Sequence, residues 1–339
     1  MSFARALQLA SVALAVSGCH LSQAISGGLR ILTSGVPVDE PMVSDEDPGV
    51  RRLLWELHRI RRFIESRGLE PTRSFQRFVE IQGPAVVWVV SGSEPLALVP
   101  KVWSFPIVGS FTYRAWFDRA DAERDALSLE SEGFEGWVRG ASAYSTLGFF
   151  DDPILSTMLD TESLSGLGDF ANVVIHESVH ATIYVEGQSA FNESLASFVA
   201  DVLTDEYLAR TFGRGSPERG AWQDAERRRA LRIERLGAAY QELERVYSST
   251  SSADRKLAEK ARVFDTLETQ LGRRLNNAAL IQLRTYDAGR APLGRYLEEC
   301  SVFDRFLAAM KRVGPEHFAG PHDEDIGAAL ELFGPCQPR

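Results

Sequence analysis

Val173-Val174-Ile175-His176-Glu177-Ser178-Val179-His180-Ala181-Thr182 is the stretch from which the rest of the chain is read. It contains H-E-x-x-H. On an α-helix, residues i and i+4 share a face, so His176 and His180 can offer ring nitrogens to one metal ion. Glu177 lies about 100° further round the helix. That position suits a base holding a water beside the metal rather than a ligand. Val173, Val174, Val179 and Ile183 supply the apolar flank of a helix buried beside a sheet. The chain holds only six histidines, so two at helical spacing around a glutamate carry weight.

The third ligand is sought downstream. Asn192-Glu193 follows, Glu193 being thirteen residues after His180. Gly187 can turn the chain between them, and Asn192-Glu193 then falls near the start of a second helix. A carboxylate folding back from there completes a His₂Glu zinc site with a fourth position open for water. Glu186 is too close to the end of the first helix to reach back. Asp201 lies about two turns beyond Glu193 and reads as an outer partner, with Asp205 further still. Ile183 stands where a metzincin needs glycine, which leaves the gluzincin class. One Zn²⁺ per chain is expected.

Composition bounds the function. The 339 residues are 44% hydrophobic and 25% charged, an ordinary globular balance. Lys+Arg is 37 against 47 Asp+Glu, a net charge of −10, which argues against nucleic acid as a partner.

The N-terminus reads as an address. Met1 to Arg5 carries one positive charge, and the apolar run Ala6 to Val16 is too short to span a bilayer permanently. Ser17-Gly18-Cys19 resembles the lipobox of bacterial lipoproteins. That resemblance implies a signal peptide over 1–18, a lipid on Cys19, and an anchored linker over 19–45. His20, in place of Asp, implies the periplasmic face of the outer membrane. In that oxidising compartment Cys300 and Cys336 either pair or remain thiols.

Further along, Asp47-Pro48 starts a helix with Leu53, Leu54, Leu57, Ile60 and Ile64 as its apolar stripe. Its other side is rich in arginine and reads as a solvated face, with contact to anionic lipid as the rival reading. Val86–Val90, Leu96–Val99, Phe111–Trp116 and Trp137–Thr146 read as strands, and Asp118–Leu129 as a helix. From Asp169 on, the chain reads as helical. The stretch 217–274 reads as two long helices joined at Ser248–Ser252, with Leu231, Ile233, Leu236, Tyr240 and Leu243 along a seam. The expected fold is α+β and zincin-like. A small mixed or antiparallel sheet precedes a mostly helical C-terminal half that carries a long αα-hairpin. Residues 46–339 are expected to form one domain, with the hairpin as an insertion.

The run HESVHATIYVEGQSAFNESLASFVAD resembles the predicted zinc aminopeptidase family of bacterial lipoproteins. So do SGC at 17–19, AYSTLGFFDDP at 143–153, and Asn276-Asn277-Ala278 with Tyr286 beyond. The resemblance implies His176, His180 and Glu193 as zinc ligands, Glu177 as base, and a peptide substrate. The tetrahedral oxyanion needs a donor, and Tyr144 and Tyr286 are the candidates. Two rival functions stand beside the peptidase. One is a non-catalytic zincin scaffold in the envelope, against which the intact Glu177 speaks. The other is a zinc amidase or endopeptidase acting on peptidoglycan peptides.

Overall fold

The computed structural model describes residues 27–28, 31, 33–39, 47–105, 109–143, 151–284, 289–320, 323 and 325–336. Residues 1–18, Cys19, Tyr144 and Tyr286 lie outside the described residues. The architecture is α+β, with small sheets in the N-terminal half followed by a mostly helical C-terminal half. The chain divides into two compact units. One gathers Arg77–Thr157 and Arg235–Gln282 with the residues before 37. The other gathers Pro37–Gln76, Met158–Glu234 and the chain from Leu283.

In the first unit, strand Val87–Ser93 is the centre of an antiparallel sheet, flanked by Tyr113–Trp116 and Glu135–Ala141. Trp88 stands opposite Trp116, and Val90 stands between Arg114 and Val138. Alternation puts Trp88 and Val90 on one face. Helix Arg119–Ser131 covers that face, where Val90, Ala122 and Leu129 form a core with Trp88, Trp116 and Val138 packed on it. Gly136 permits the close approach, since a Cβ there would sit 2.5 Å from the carbonyl oxygen of Ala126. Buried Asp125 accepts from Trp116 Nε1 at 2.8 Å and pairs with Arg114, tying helix to sheet.

Three sequence expectations change here. Leu96–Val99 is a turn, not a strand. The 94–97 stretch is held by side-chain donors instead. Asn277 Nδ2 donates to the oxygens of Glu94 (2.9 Å), Pro95 (3.2 Å) and Ala97 (3.3 Å), and Lys260 Nζ donates to Pro95 at 2.7 Å. Side chains thus take acceptors that a neighbouring strand would need. The run Phe111–Trp116 is broken at Thr112. Gly109–Phe111 pairs with Trp103–Phe105, and Tyr113–Trp116 pairs with Val87–Ser93. The strand expected over Trp137–Thr146 starts two residues earlier and, among the described residues, spans Glu135–Ala141.

The helical pair Pro217–Ser248 and Ala253–Leu271 is joined by a four-residue turn, with Ser252 capping the second helix. Arg235 donates to the carbonyl of Gln270 at 2.8 Å and Lys256 to that of Tyr247 at 2.7 Å, bonds that run between the two helices. Leu236, Ala239, Leu243 and Val246 are buried, but Leu231 is 51% exposed. Leu231 lies about 140° from Leu236 at 100° per residue, off the buried stripe.

In the second unit, helix Pro48–Ser66 begins where Asp47 accepts from the Gly49 amide at 2.6 Å. Its Leu53, Leu54, Leu57, Ile60, Phe63 and Ile64 are buried, and it packs against helix Gly166–Thr182. The motif helix therefore starts three residues before Asp169. Gly168 seats it against Trp222, where a Cβ would come within 2.7 Å of the indole. Helices Arg290–Cys300, Phe303–Met310 and Ile326–Phe333 complete the unit. A disulfide joins Cys300 to Cys336, Cα to Cα 5.3 Å.

Asn277 is fully buried and holds three carbonyls. Asn277→Ala takes this donor from the Glu94 and Ala97 carbonyls and leaves Pro95 with Lys260 alone, and stability in urea unfolding is expected to fall by about 2–4 kcal/mol. An unchanged midpoint would show that the 94–97 turn does not depend on this side chain.

Candidate metal centre

The centre is built from two helices of one unit. Helix Gly166–Thr182 carries His176, Glu177 and His180, and helix Ser189–Thr211 carries Glu193. The two pack closely across a short connection. The first helix stops at Ile183, whose backbone is extended. Gly187 then turns the chain at φ +76°, a conformation costly for any residue with a Cβ. Asn192 closes the loop. Its Oδ1 accepts from the Val185 amide at 2.9 Å and its Nδ2 donates to the Val185 carbonyl at 2.8 Å. Asn192 is 2% exposed, so both bonds are made away from water. The clamp places the next residue, Glu193, beside the histidines.

The three side chains converge. His176 Nε2 and His180 Nε2 are 3.1 Å apart. Glu193 Oε2 is 3.5 Å from the first and Oε1 is 3.5 Å from the second. A tetrahedral ion with bonds of about 2.0–2.1 Å has ligand–ligand edges of about 3.3 Å, and each histidine lies near that distance from the other and from its nearer Glu193 oxygen, so the group suits a metal ion. The donor chemistry fits as well. Burial and the neighbouring His176 lower the pKa of His180, which favours the neutral imidazole a metal needs, against an opposing pull from Glu193. Burial alone would raise the pKa of Glu193, but its hydrogen bond to His176 and the charge of both histidines outweigh that and hold it low. His180 Nδ1 is buried and has no hydrogen-bond partner among the described residues, so Nε2 is its contact to the site. Glu177 is half-buried beside His176.

Asp201 is not a ligand. It accepts from Asn172 Nδ2 at 3.0 Å and pairs with Arg290. Asn172 sits four residues before His176, on the same helix face, and so extends the polar seam by one turn. The spacing 172–176–180 was legible in the sequence but carried no recognised motif. The opposite face of the motif helix is also polar. Ser178 accepts from the Thr72 amide at 3.2 Å, and Thr182 accepts from the Glu70 amide at 2.8 Å. Both hydroxyls donate back to carbonyls of their own helix, at 2.8 and 2.6 Å. Ser178 within the motif and Thr182 just after it thus hold its rear against a neighbouring segment.

Asn192→Ala removes both loop bonds. We expect a loss of about 2–4 kcal/mol in urea unfolding and a fall in zinc affinity of about tenfold or more, read by competition with a chromophoric chelator. Equal zinc affinity in variant and parent would separate Glu193 from the clamp.

Comparison with known proteins adds one finding. No curated protein and no solved structure matches the chain. A family model described as "Putative aminopeptidase" matches residues 19–318, which include both helices of the centre. The chain belongs to this aminopeptidase family.

Proposed function

We propose that the chain is a lipid-anchored zinc peptidase of the bacterial envelope, acting as an aminopeptidase on peptide substrates. The reading is carried by the convergence of His176, His180 and Glu193, whose ligand atoms lie within 4.8 Å of one another, with Glu177 adjacent on the same helix. A bound zinc ion supplies a Lewis acid and makes a coordinated water acidic near neutral pH. His176 and His180 would hold the ion through Nε2 and Glu193 through a carboxylate oxygen, one ion per chain, as in zincins. Glu177 accepts the proton of the attacking water and returns it to the leaving amine, which departs poorly as an anion. Tyr144 and Tyr286 are the candidate donors to the oxyanion.

The anchored placement rests on the N-terminal sequence. Residues 1–18 act as the leader, Cys19 takes the lipid, 19–45 is the tether, and 46–339 is the peptidase domain with its helical insertion at 217–274. The enzyme then faces the periplasm from the outer membrane, where a disulfide such as Cys300–Cys336 persists. None of the described helices is long and apolar enough to cross a membrane.

Glu177→Gln is expected to bind zinc as the parent does, near one ion per chain by elemental analysis. Its peptide hydrolysis should fall by about 10²–10⁴-fold. Hydrolysis at the parent rate would refute the mechanism, and a parent chain that takes up no zinc after reconstitution would refute the metal. Aminoacyl fluorogenic substrates, internally quenched peptides and muropeptides, each with and without chelator, separate the peptidase classes. Chelator-sensitive release of unblocked N-terminal residues alone is the outcome expected of an aminopeptidase.

A further inference from the structure

Helix Pro48–Ser66 buries one face and leaves the other to solvent. The solvent face is not an ordinary polar one. At its centre stands Trp55, 78% exposed, the most exposed large hydrophobic side chain among the described residues. At 100° per residue, Trp55 lies about 180° from buried Ile64. Arg51, Arg52, Arg59 and Arg62 all fall within about 60° of it on the helical wheel. Arg59 pairs with Glu56 at 3.2 Å. Arg51, Arg52 and Arg62 pair with no carboxylate among the described residues. The flanks carry His58, which bonds Asp39 at 2.9 Å, and the exposed Glu65. A chain of net charge −10 thus concentrates unpaired positive charge around one bare indole.

We propose that this face docks on an anionic phospholipid surface. The chemistry selects that partner. Arginine heads meet phosphate oxygens with a geometry that suits bidentate bonding. An indole flanked by cations settles at the headgroup level, its ring against acyl chains and its N–H toward water. An amphipathic helix whose apolar side is already committed to the core then contacts the bilayer by its charged side. The contact goes beyond the anchored-peptidase reading and does not require acylation. A lipid on Cys19 would add to it, because one acyl chain gives only reversible attachment and basic residues supply the second signal.

The test uses the full chain with Cys19→Ser, so that no lipid is attached, and vesicles of phosphatidylcholine alone or mixed equally with phosphatidylglycerol. Acylation of Cys19 is read separately, by mass, on the native chain, so its failure is not confused with failure of this proposal. Cosedimentation is expected to be stronger on the anionic vesicles and to weaken in 0.5 M salt, as a screened interaction must. Arg51→Ala/Arg52→Ala/Arg62→Ala should lower affinity for the anionic vesicles at least about tenfold. Trp55→Ala should lower it severalfold and leave the remainder more salt-sensitive. Parent and variants share the same N-terminus, so the difference belongs to the helix. Arg52, Arg62 and Trp55 are exposed and Arg51 is half-buried, and unchanged thermal melting and peptidase activity serve as the folding control. Equal affinity of parent and triple variant for anionic vesicles overturns the proposal. So does a Trp55→Ala change that dissociates a dimer in size-exclusion chromatography while vesicle binding is unchanged, since that assigns the face to a protein partner. A salt titration of the parent alone decides the electrostatic part if the triple variant does not fold.

Discussion

The reciprocal pair of bonds between Asn192 and the Val185 backbone is the constraint on which the centre depends. H-E-x-x-H aligns two ring nitrogens by helical geometry alone. It cannot supply the third ligand, which must come from another element. Between Thr182 and Ser189 the chain has to stop one helix, reverse and start the next. A connection this short leaves backbone groups in the interior, and each must find a partner. One asparagine satisfies both groups of Val185 at once. In doing so it sets the register of the second helix, and Glu193 follows as its neighbour.

The motif helix is held from both sides, by different means. Its front face meets the second helix along a polar seam from His180 through His176 to Asn172, which ends on Asp201 and Arg290. Its rear face carries Ser178 and Thr182, whose hydroxyls accept from the amides of Thr72 and Glu70. A serine or threonine inside a helix commonly turns its hydroxyl back to the carbonyl four residues earlier. Here the oxygen does that and also serves as an acceptor for a passing segment. The side that bears His176 and His180 is thereby backed by a hydrogen-bonded surface rather than by apolar packing alone.

A similar economy governs the sheet-bearing unit. Asn276 and Asn277 look, by family resemblance, like motif residues, and their structural work is plain. Asn276 bonds the Gly136 carbonyl at 2.9 Å and caps the Ala279 amide at 3.0 Å, while Asn277 gathers the 94–97 turn. Lys260 and Glu135 complete the cluster, with Glu135 accepting from the Asn277 amide at 3.1 Å. Polar clamps of this kind are invisible to hydrophobic periodicity, which is why Leu96–Val99 reads as a strand from its apolar content and folds as a turn.

The sequence by itself determined whatever depends on local periodicity and on chemistry at fixed spacing. Helical spacing puts His176 and His180 on one face, and Asp47-Pro48 starts a helix whose stripe of Leu53, Leu57, Ile60 and Ile64 is buried as the pattern requires. Gly187 and Asn192-Glu193 pointed to a tight return, and the centre has that form. The tertiary structure decided what depends on partners distant in sequence. Only it shows that Asn192 serves the loop while Glu193 turns to the histidines, that Asp201 answers Asn172 rather than a ring nitrogen, and that Leu231 faces solvent. It also shows Trp55 exposed among the arginines of helix Pro48–Ser66. The physical reason is common to all of these. Periodicity states which face a residue occupies, but a polar side chain takes its role from the donor or acceptor that folding brings to it.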